Sequence, residues 1–245
     1  MIASARAAAA PAGWPRRVVP ELLDELAPDD PRALRSRRDL RVVNSIMGHA
    51  ALLARALDAV VTTSPPRLVE LGAGDGTVLL RLAKRRARRW PKAHVTLVDT
   101  QPTVTPATLA ALRELGWTVE VTAADALEWL EQSRPDRETL VLANLFVHHF
   151  EGERLARLLA GVAAKAAAFV CCEPRRARLA LLGSHLLWAI GCNDVTRHDA
   201  VVSVHAGFRD HELTAEWVRA AGRGWNTDGT PAGAFSHLFI ARRAR

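Results

Sequence analysis

Along most of the chain, short apolar runs alternate with segments in which apolar residues recur at helical spacing. The apolar runs after residue 66 are RLVELG, HVTLVD, WTVEVTA, TLVLANLF and AAAFVCCE. Helices are predicted after them over 75–90, 105–115, 126–130, 151–164 and 178–190. Near-continuous apolar strands that alternate with helices indicate a parallel sheet covered by helices on both faces.

The beginning of the chain has a different pattern. Pro20 opens a short predicted helix, and Asp30-Pro31 predicts the start of one or two amphipathic helices that end near Thr62. Ser64 and the two prolines after it indicate a boundary. We therefore predict a tail and helical cap segment over 1–64 and the main domain over 65–245.

The end of the chain differs as well. The pattern predicts one more helix over 207–222, capped by Asp210, and then two strands around a turn at 227–233. Two strands joined by a short turn form a hairpin, so the last strand is predicted to be antiparallel. The predicted fold is a three-layer α/β/α domain with a sheet of about seven strands, preceded by an N-terminal helical segment.

A glycine-rich loop follows the first predicted strand, where an open parallel sheet binds its ligands. Its spacing is G-x-G-x-G, from Gly72 to Gly76, whereas a dinucleotide site requires G-x-G-x-x-G and this chain has Thr77 at the last position. Asp75 would also repel a phosphate. The loop therefore favours a ligand with positive charge, which Glu70 and Asp75 would attract.

The run E-L-G-A-G-D-G-T resembles the first motif of the class I S-adenosylmethionine-dependent methyltransferases, and the resemblance extends over about residues 66–175. It implies a Rossmann-like fold and S-adenosylmethionine as the cofactor. It places Asp99 at the ribose hydroxyls, Asp125 at the adenine amine and Asn144 at the methionine end. The implied cofactor-binding residues are Glu70, Gly72, Ala73, Gly74, Asp99, Thr100, Asp125, Ala126 and Asn144.

Three histidines are candidates for catalysis. A phenolic acceptor has a pKa of about 10 and must lose its proton, and histidine is the usual base for such a step. His149 is the first candidate and His148 the second, because both follow the fourth strand; alternatively, one of them packs or caps the next helix. His198 beside Asp199 is another candidate, in a polar segment over 193–199 that is predicted as a lid or as an ordinary surface loop.

Other segments are candidates for the walls of an acceptor pocket. Arg175 and Arg176 follow the fifth strand and either bind an anionic group or begin a solvated helix. The resemblance implies that the N-terminal helices cover the pocket through Arg38, Arg41, Asn44 and Met47, although Met47 fits packing better. Residues 193–213 resemble the variable segment of small-molecule methyltransferases that modify quinones and polyketide-type phenols. The implied partner is a small-molecule acceptor, methylated on oxygen or carbon.

The composition of the chain excludes several classes of protein. Hydrophobic residues make up 49% of the 245 residues and charged residues 24%, which excludes a disordered chain. No apolar run is long enough to span a bilayer. The three cysteines, Cys171, Cys172 and Cys192, form no CxxC pair, so neither a disulfide framework nor a metal site is predicted, and a reducing cytoplasm is expected.

A run of basic residues leaves an RNA methyltransferase as an alternative function. The net charge is +7, and cations crowd the helix after the glycine loop and its end, at Arg81, Lys84, Arg85, Arg86, Arg88, Arg89 and Lys92. An RNA methyltransferase would use such a run for phosphates, whereas a solvated helix end would use it to complement the dipole. Two further hypotheses are a nicotinamide-binding Rossmann oxidoreductase, which the absent third glycine disfavours, and a scaffold protein without catalysis.

Overall fold

The computed structural model describes residues 14–61, 67–133 and 138–244, so the boundary expected at 64–66 lies outside the described residues. The α-helices are α1 (Leu22–Glu25), α2 (Pro31–Ile46), α3 (His49–Val60), α4 (Thr77–Arg86), α5 (Pro106–Glu114), α6 (Ala126–Gln132), α7 (Gly152–Lys165), α8 (Arg178–His185), α9 (Asp194–Ala206) and α10 (Glu212–Ala221). The strands are β1 (Arg67–Leu71), β2 (His94–Asp99), β3 (Thr118–Ala123), β4 (Thr139–Asn144), β5 (Ala166–Pro174), β6 (Trp225–Ala232) and β7 (Ser236–Arg243). None of the helices in these ranges is both long enough and apolar enough to cross a membrane.

The strands form one sheet in the order β3-β2-β1-β4-β5-β7-β6. The first five strands are parallel, and β7 is antiparallel to both β5 and β6. This confirms the predicted α/β/α architecture with an antiparallel last strand. Because β1 pairs with β2 on one side and β4 on the other, the strand order reverses at β1, and a crevice opens at the carboxyl ends of these strands.

The core consists of two layers, one on each face of the sheet. Successive strand residues point to opposite faces, so Leu71 belongs to one layer and Leu68 of the same strand to the other. The first layer contains stacked Phe169 and Trp217, and the second contains Trp90 stacked on Trp117. Helix α3 is part of the second layer.

Register aligns the carboxyl ends of the three central strands. Leu71 of β1 is level with Val98 of β2 and with Ala143 of β4. The residues that follow these positions, Gly72, Asp99 and Asn144, therefore lie side by side at one edge of the sheet.

Two predictions about helix boundaries are wrong. The polar segment 193–199 is not a loop: α9 begins at Asp194, and the Asn193 side chain caps it by accepting a 2.9 Å hydrogen bond from the Thr196 N–H. Asp210 does not cap α10, because the helix begins two residues later, and Asp210 has a left-handed backbone with φ of 44°. In both places the same polar residues suit either a cap or a loop, and only tertiary packing decides between them.

The predicted hairpin is present, but its turn lies later in the chain than predicted. Residues 227–232 are part of β6, and the chain reverses over 233–235 instead. The difference arises from Gly229 and Pro231, which are typical turn residues. β6 is the edge strand of the sheet, where one side of the backbone needs no partner and proline is tolerated.

Candidate active site

A cavity of about 430 Å³ lies at the carboxyl ends of β1, β2 and β4. The nine residues that the resemblance implies for the cofactor all line it: Glu70, Gly72, Ala73, Gly74, Asp99, Thr100, Asp125, Ala126 and Asn144. Residues of α2, including Arg41 and Asn44, also line the cavity. The structure thus brings the predicted cofactor residues into one place.

The glycine loop requires its glycines for two different reasons. Gly72 and Gly74 both have left-handed backbones, with φ of 68° and 53°. A Cβ atom on Gly72 would lie 2.2 Å from Cδ2 of Phe146, so the loop and the segment after β4 approach closely there. A Cβ atom on Gly74 would have no atom within 4 Å, because this position faces the open cavity.

Two acidic residues of the cavity wall are fixed by main-chain donors. The Asp99 carboxylate accepts 2.8 Å hydrogen bonds from the N–H groups of Gly74 and Gln101. Asp125 caps α6 and accepts a 2.7 Å hydrogen bond from the Leu127 N–H. A carboxylate has about four acceptor positions, so both side chains keep capacity for a ligand.

Asp75, which we predicted to attract a cationic ligand, forms an ion pair within the chain. Its carboxylate lies 2.9 Å from the Arg41 guanidinium and accepts a 3.0 Å hydrogen bond from the Thr77 N–H. The charge of Asp75 is therefore shared with a side chain of α2, and this ion pair attaches the N-terminal helices to the glycine loop.

Glu70 is the buried acid of the cavity. It is 3% exposed, and burial, followed by the charges of Asp75 and Asp99, raises its pKa to about 8. Its Oε2 atom is buried without a hydrogen-bond partner among the described residues, and so is Oδ1 of Asn144, which lines the same cavity. S-adenosylmethionine fits this wall, because its ammonium group supplies donors for unpaired acceptors and its positive charge favours the ionised form of Glu70.

A second cavity of about 360 Å³ adjoins the first. Its walls are mostly apolar and come from α2, from α9 and from α8 with the 3₁₀-helix Leu187–Ile190 that follows it. Those wall residues include Val43, Ile46, Met47, Ala180, Leu186, Leu187, Ile190, Ala200 and Val204. Five residues line both cavities, namely Glu21, Leu23, Leu40, Leu145 and Ser203, so the two cavities meet there.

Glu21 and His148 form a buried network at this junction. Nδ1 of His148 is 2.8 Å from Oε2 of Glu173, and Nε2 is 3.3 Å from Oε1 of Glu21. The Ser203 hydroxyl also donates a hydrogen bond to Glu21. Glu173 in turn accepts a 3.0 Å hydrogen bond from the Val147 N–H, which fixes it at the end of β5.

The hydrogen bonds and charges of this network favour the ionised forms of His148, Glu21 and Glu173. Burial acts to lower the pKa of His148, but hydrogen bonds with Glu173 and Glu21 outweigh it and raise the pKa to about 9. Burial acts to raise the pKa of Glu21, but the hydrogen bond and charge of His148 lower it to about 2. The pKa of Glu173 is lowered in the same way, against the effect of its burial. In this arrangement His148 is therefore an imidazolium between two carboxylates.

The other predicted catalytic histidines lie in different surroundings. His149 lines the first cavity, with Nδ1 3.3 Å from Oδ2 of Asp24 and Nε2 3.9 Å from Oε2 of Glu21. His198 lines neither cavity: 48% of its side chain is exposed, and its Nδ1 is 2.9 Å from Oδ1 of Asp199. The structure thus places His148 and His149 at the junction, and His198 away from it.

The two arginines after β5 do not line an acceptor pocket. Arg176 is buried, donates a 3.0 Å hydrogen bond to the Trp14 carbonyl and forms an ion pair with Glu212. It therefore holds neighbouring segments together instead of binding an anion. Arg38 likewise lines neither cavity, whereas Met47 lies in the wall of the apolar one.

Sequence reasoning missed the segment that completes the junction. Residues 14–25, here called the N-terminal strap, cross the end of the sheet and carry Glu21. The Arg16 guanidinium donates hydrogen bonds of 2.8 and 2.9 Å to the carbonyls of His148 and Phe150. The N–H groups of Leu22 and Leu23 donate to Asp199 at 2.8 and 3.0 Å. Nothing in the run PELLDELA distinguishes Glu21 from a solvated acid.

Comparison with known proteins identifies the domain around the first cavity. A family model described as a methyltransferase domain matches residues 68–166, a segment that contains the nine predicted cofactor residues. A search of curated proteins returns no match.

Solved structures share the fold. The plantazolicin methyltransferase BamL, in complex with a triazolic desmethylPZN analog and SAH, is 12% identical with a TM-score of 0.62, over 88% of this chain and 92% of that chain. An O-methyltransferase family protein from Burkholderia thailandensis is 18% identical with a TM-score of 0.59, over 88% of this chain and 61% of that one. The mitomycin 7-O-methyltransferase MmcR is 18% identical with a TM-score of 0.55, over 91% of this chain and 60% of that one. The family match identifies a methyltransferase domain over residues 68–166, and the solved structures show that the chain shares the α/β methyltransferase fold.

Proposed function

We propose that this methyltransferase acts on a hydroxyl group of a small apolar molecule, of the aromatic, quinone or polyketide type. The observation that carries the proposal is the apolar cavity of about 360 Å³ that opens into the cofactor cavity. Its volume is in the range of small-molecule sites, which are mostly apolar with a few polar groups that fix orientation. Here the polar groups at the junction are Glu21 and Ser203.

The rim of the apolar cavity supports an acceptor with an apolar substituent. Ile46, Leu186 and Ile190 line the cavity and remain between 50% and 64% exposed. Trp188, between two of them in sequence, is 62% exposed. Apolar side chains clustered at a cavity mouth mark a binding surface, because they would otherwise remain in contact with water.

The residues at the junction of the two cavities indicate how methyl transfer would proceed. S-adenosylmethionine, when bound, supplies a methyl group whose bond to sulfur breaks, with its electron pair returning to sulfur, as the bond to the acceptor oxygen forms. Leu145 and Ser203 would hold the acceptor where the cavities meet, and the apolar walls would exclude water. The hydroxyl proton would pass to His149 and from there to solvent. A ring carbon beside an ionised hydroxyl could take the methyl group from the same position.

Glu70 and Asn144 would bind the ammonium end of the cofactor, and Asp99 and Asp125 would bind its ribose and adenine. His148 would act as the fixed cation that keeps Glu21 ionised and in place. The protein's three cysteines are free and buried, which supports the proposal that it works in the reducing cytoplasm.

Two of the structural neighbours support a small acceptor. One is named as a mitomycin 7-O-methyltransferase, and another is the pyocyanin biosynthetic protein PhzM. The basic run gives less support to RNA. Arg89 lies 2.7 Å from Asp58, Arg86 pairs with the same carboxylate, and the C-terminal end of α4 points away from the carboxyl ends of the strands.

An acceptor screen tests the proposal. The full chain would be mixed with S-adenosylmethionine and a panel of hydroxylated aromatic and quinone compounds, with and without alkyl substituents, beside polar sugars and a structured RNA. Methyl transfer would be measured by mass spectrometry. We expect transfer to the apolar hydroxyl compounds alone. Transfer to RNA or to the sugars, with none to the apolar compounds, would overturn the proposal.

A further inference from the structure

Two imidazole rings and one carboxylate converge at the junction of the cavities. Nε2 of His148 and Nε2 of His149 face opposite oxygens of Glu21, at 3.3 and 3.9 Å. The ligand atoms of these three residues all lie within 4.8 Å of one another. Two ligands held about 2.1 Å from a tetrahedral ion are about 3.4 Å apart, so the two distances from Glu21 are close to those around a bound metal.

Each ring is also oriented from behind by a second carboxylate. Nδ1 of His148 is 2.8 Å from Glu173, and Nδ1 of His149 is 3.3 Å from Asp24. Metal-binding histidines almost always give their other ring nitrogen to such a partner, which fixes the tautomer and leaves Nε2 free for the ion. Both His148 and His149 have a carboxylate at this position.

The junction also carries several carboxylates. Among the described residues, the ion pairs of Glu21, Asp24 and Glu173 are formed with His148 and His149. The two rings themselves lie close together, with centroids 4.3 Å apart. A divalent cation would be attracted to this group of carboxylates, and its binding would displace the proton that His148 holds between Glu21 and Glu173.

We propose that Glu21, His148 and His149 bind one divalent transition-metal ion at the junction of the two cavities. Two imidazoles and one carboxylate suit Zn²⁺, and also Fe²⁺ or Co²⁺. Three protein ligands leave one coordination position open, and Glu21 lines both cavities, so this position faces the place where cofactor and acceptor meet.

The role of the ion, though not its binding, rests on the proposed function. An acceptor hydroxyl at the open position would coordinate the ion through its oxygen and release its proton to water, because a bound cation lowers the pKa of an oxygen ligand. The proton then needs no histidine as its base. The acceptor class becomes more specific: a compound whose hydroxyl oxygen can reach a metal ion.

Cobalt binding to the full chain tests the inference without turnover. Protein treated with EDTA and then dialysed would be titrated with Co²⁺ while visible absorption is recorded, since four- and five-coordinate Co²⁺ absorbs strongly. We expect saturation at one ion per chain. Glu21→Gln and His149→Ala should each weaken binding by at least about 10- to 100-fold, the loss that removing an outer-shell partner alone causes. His94→Ala removes an exposed histidine at the opposite end of β2 and should leave binding unchanged.

Each outcome separates this inference from the proposed function. Circular dichroism and S-adenosylmethionine binding would show that each variant remains folded. Wild-type protein that binds Co²⁺ no better than Glu21→Gln would overturn the metal site, and methyl transfer to an apolar hydroxyl compound in EDTA would then leave the proposed function standing. Tight Co²⁺ binding without transfer to any acceptor of that class would support the site and overturn the function.

Discussion

The carboxylate of Asp99, at the end of β2, accepts a 2.8 Å hydrogen bond from the main-chain N–H of Gly74, in the loop after β1. This bond joins two segments that the resemblance assigns to cofactor binding, the glycine loop and the end of β2. The second carboxylate oxygen is occupied by the N–H of Gln101. One side chain therefore positions both the glycine loop and the chain that follows β2.

Replacing Asp99 tests this relationship. Asn has one oxygen where Asp has two, so Asp99→Asn leaves one main-chain donor facing an amide N–H₂. We expect S-adenosylmethionine affinity to fall by about 1.5–3 kcal/mol, because the ribose loses a hydrogen bond to a charged acceptor, measured by isothermal titration calorimetry. Asp58→Asn, which changes a carboxylate paired with surface arginines, should keep wild-type affinity. Equal affinity in the two variants would contradict the role given to Asp99.

Gly74 and Gly116 form a matched pair for the glycine loop. Both have left-handed backbones and open space around a Cβ position, but only Gly74 lines the cofactor cavity. Gly74→Val and Gly116→Val should each lose about 1–2 kcal/mol of stability, because a side chain disfavours this conformation. Only Gly74→Val should lose cofactor affinity, by at least about tenfold, or 1.4 kcal/mol. Comparable affinity loss in both variants would point to a general effect of strain.

The raised pKa of Glu70 predicts that the stability of the protein depends on pH. Its pKa in the folded chain is about 8, above its ordinary value of 4.5, so the folded state retains a proton that the unfolded state releases. The free energy of unfolding should therefore fall as pH rises from about 4.5 to about 8, and level off above that.

Urea denaturation at a series of pH values measures this dependence. Gln cannot ionise, so Glu70→Gln should flatten the decline, and the variant should gain stability relative to wild type as pH rises. Glu120→Gln, at an exposed position of β3, should keep the wild-type slope. If the slope is the same in all three proteins, Glu70 does not titrate in this range.

The apolar cavity can be filled without touching the cofactor cavity. Ala200 of α9 lines only the apolar one, so Ala200→Phe places a ring inside it. We expect kcat/KM for an apolar acceptor to fall by at least about tenfold, with S-adenosylmethionine affinity unchanged. Ala110→Phe, on the exposed side of α5, serves as the control. Unchanged kinetics in Ala200→Phe would place the acceptor elsewhere.

The cofactor half of the site was predictable from sequence because its position depends on local pattern. Gly72, Asp99 and Asn144 directly follow or end apolar strands, and parallel register then brings the strand ends together. The polar residue at each strand end can be identified in order along the chain. Even so, the sequence did not show that Asp75 pairs with Arg41, since those two residues belong to elements that meet only in the folded chain.

The acceptor half could not be predicted in the same way. Glu21 lies in a short amphipathic run and Ser203 inside a helix, and neither position has a local feature that marks it as functional. The start of α9 was missed because Asn193 and the polar residues after it are equally typical of a loop. The wrong hairpin turn has a similar origin: Pro231 is permitted in β6 only because the final sheet leaves that strand at its edge.

The N-terminal strap has a consequence for the order in which the site assembles. Residues 70–144 supply the cofactor wall from consecutive strands, whereas the bond between Ser203 and Glu21 joins residues 182 positions apart, and that between Trp14 and His205 spans 191. Contacts between such distant residues form late, because long loops must close first. The acceptor half should therefore be completed last during folding and lost first on partial unfolding, leaving a chain that retains its cofactor but no longer recognises what it methylates.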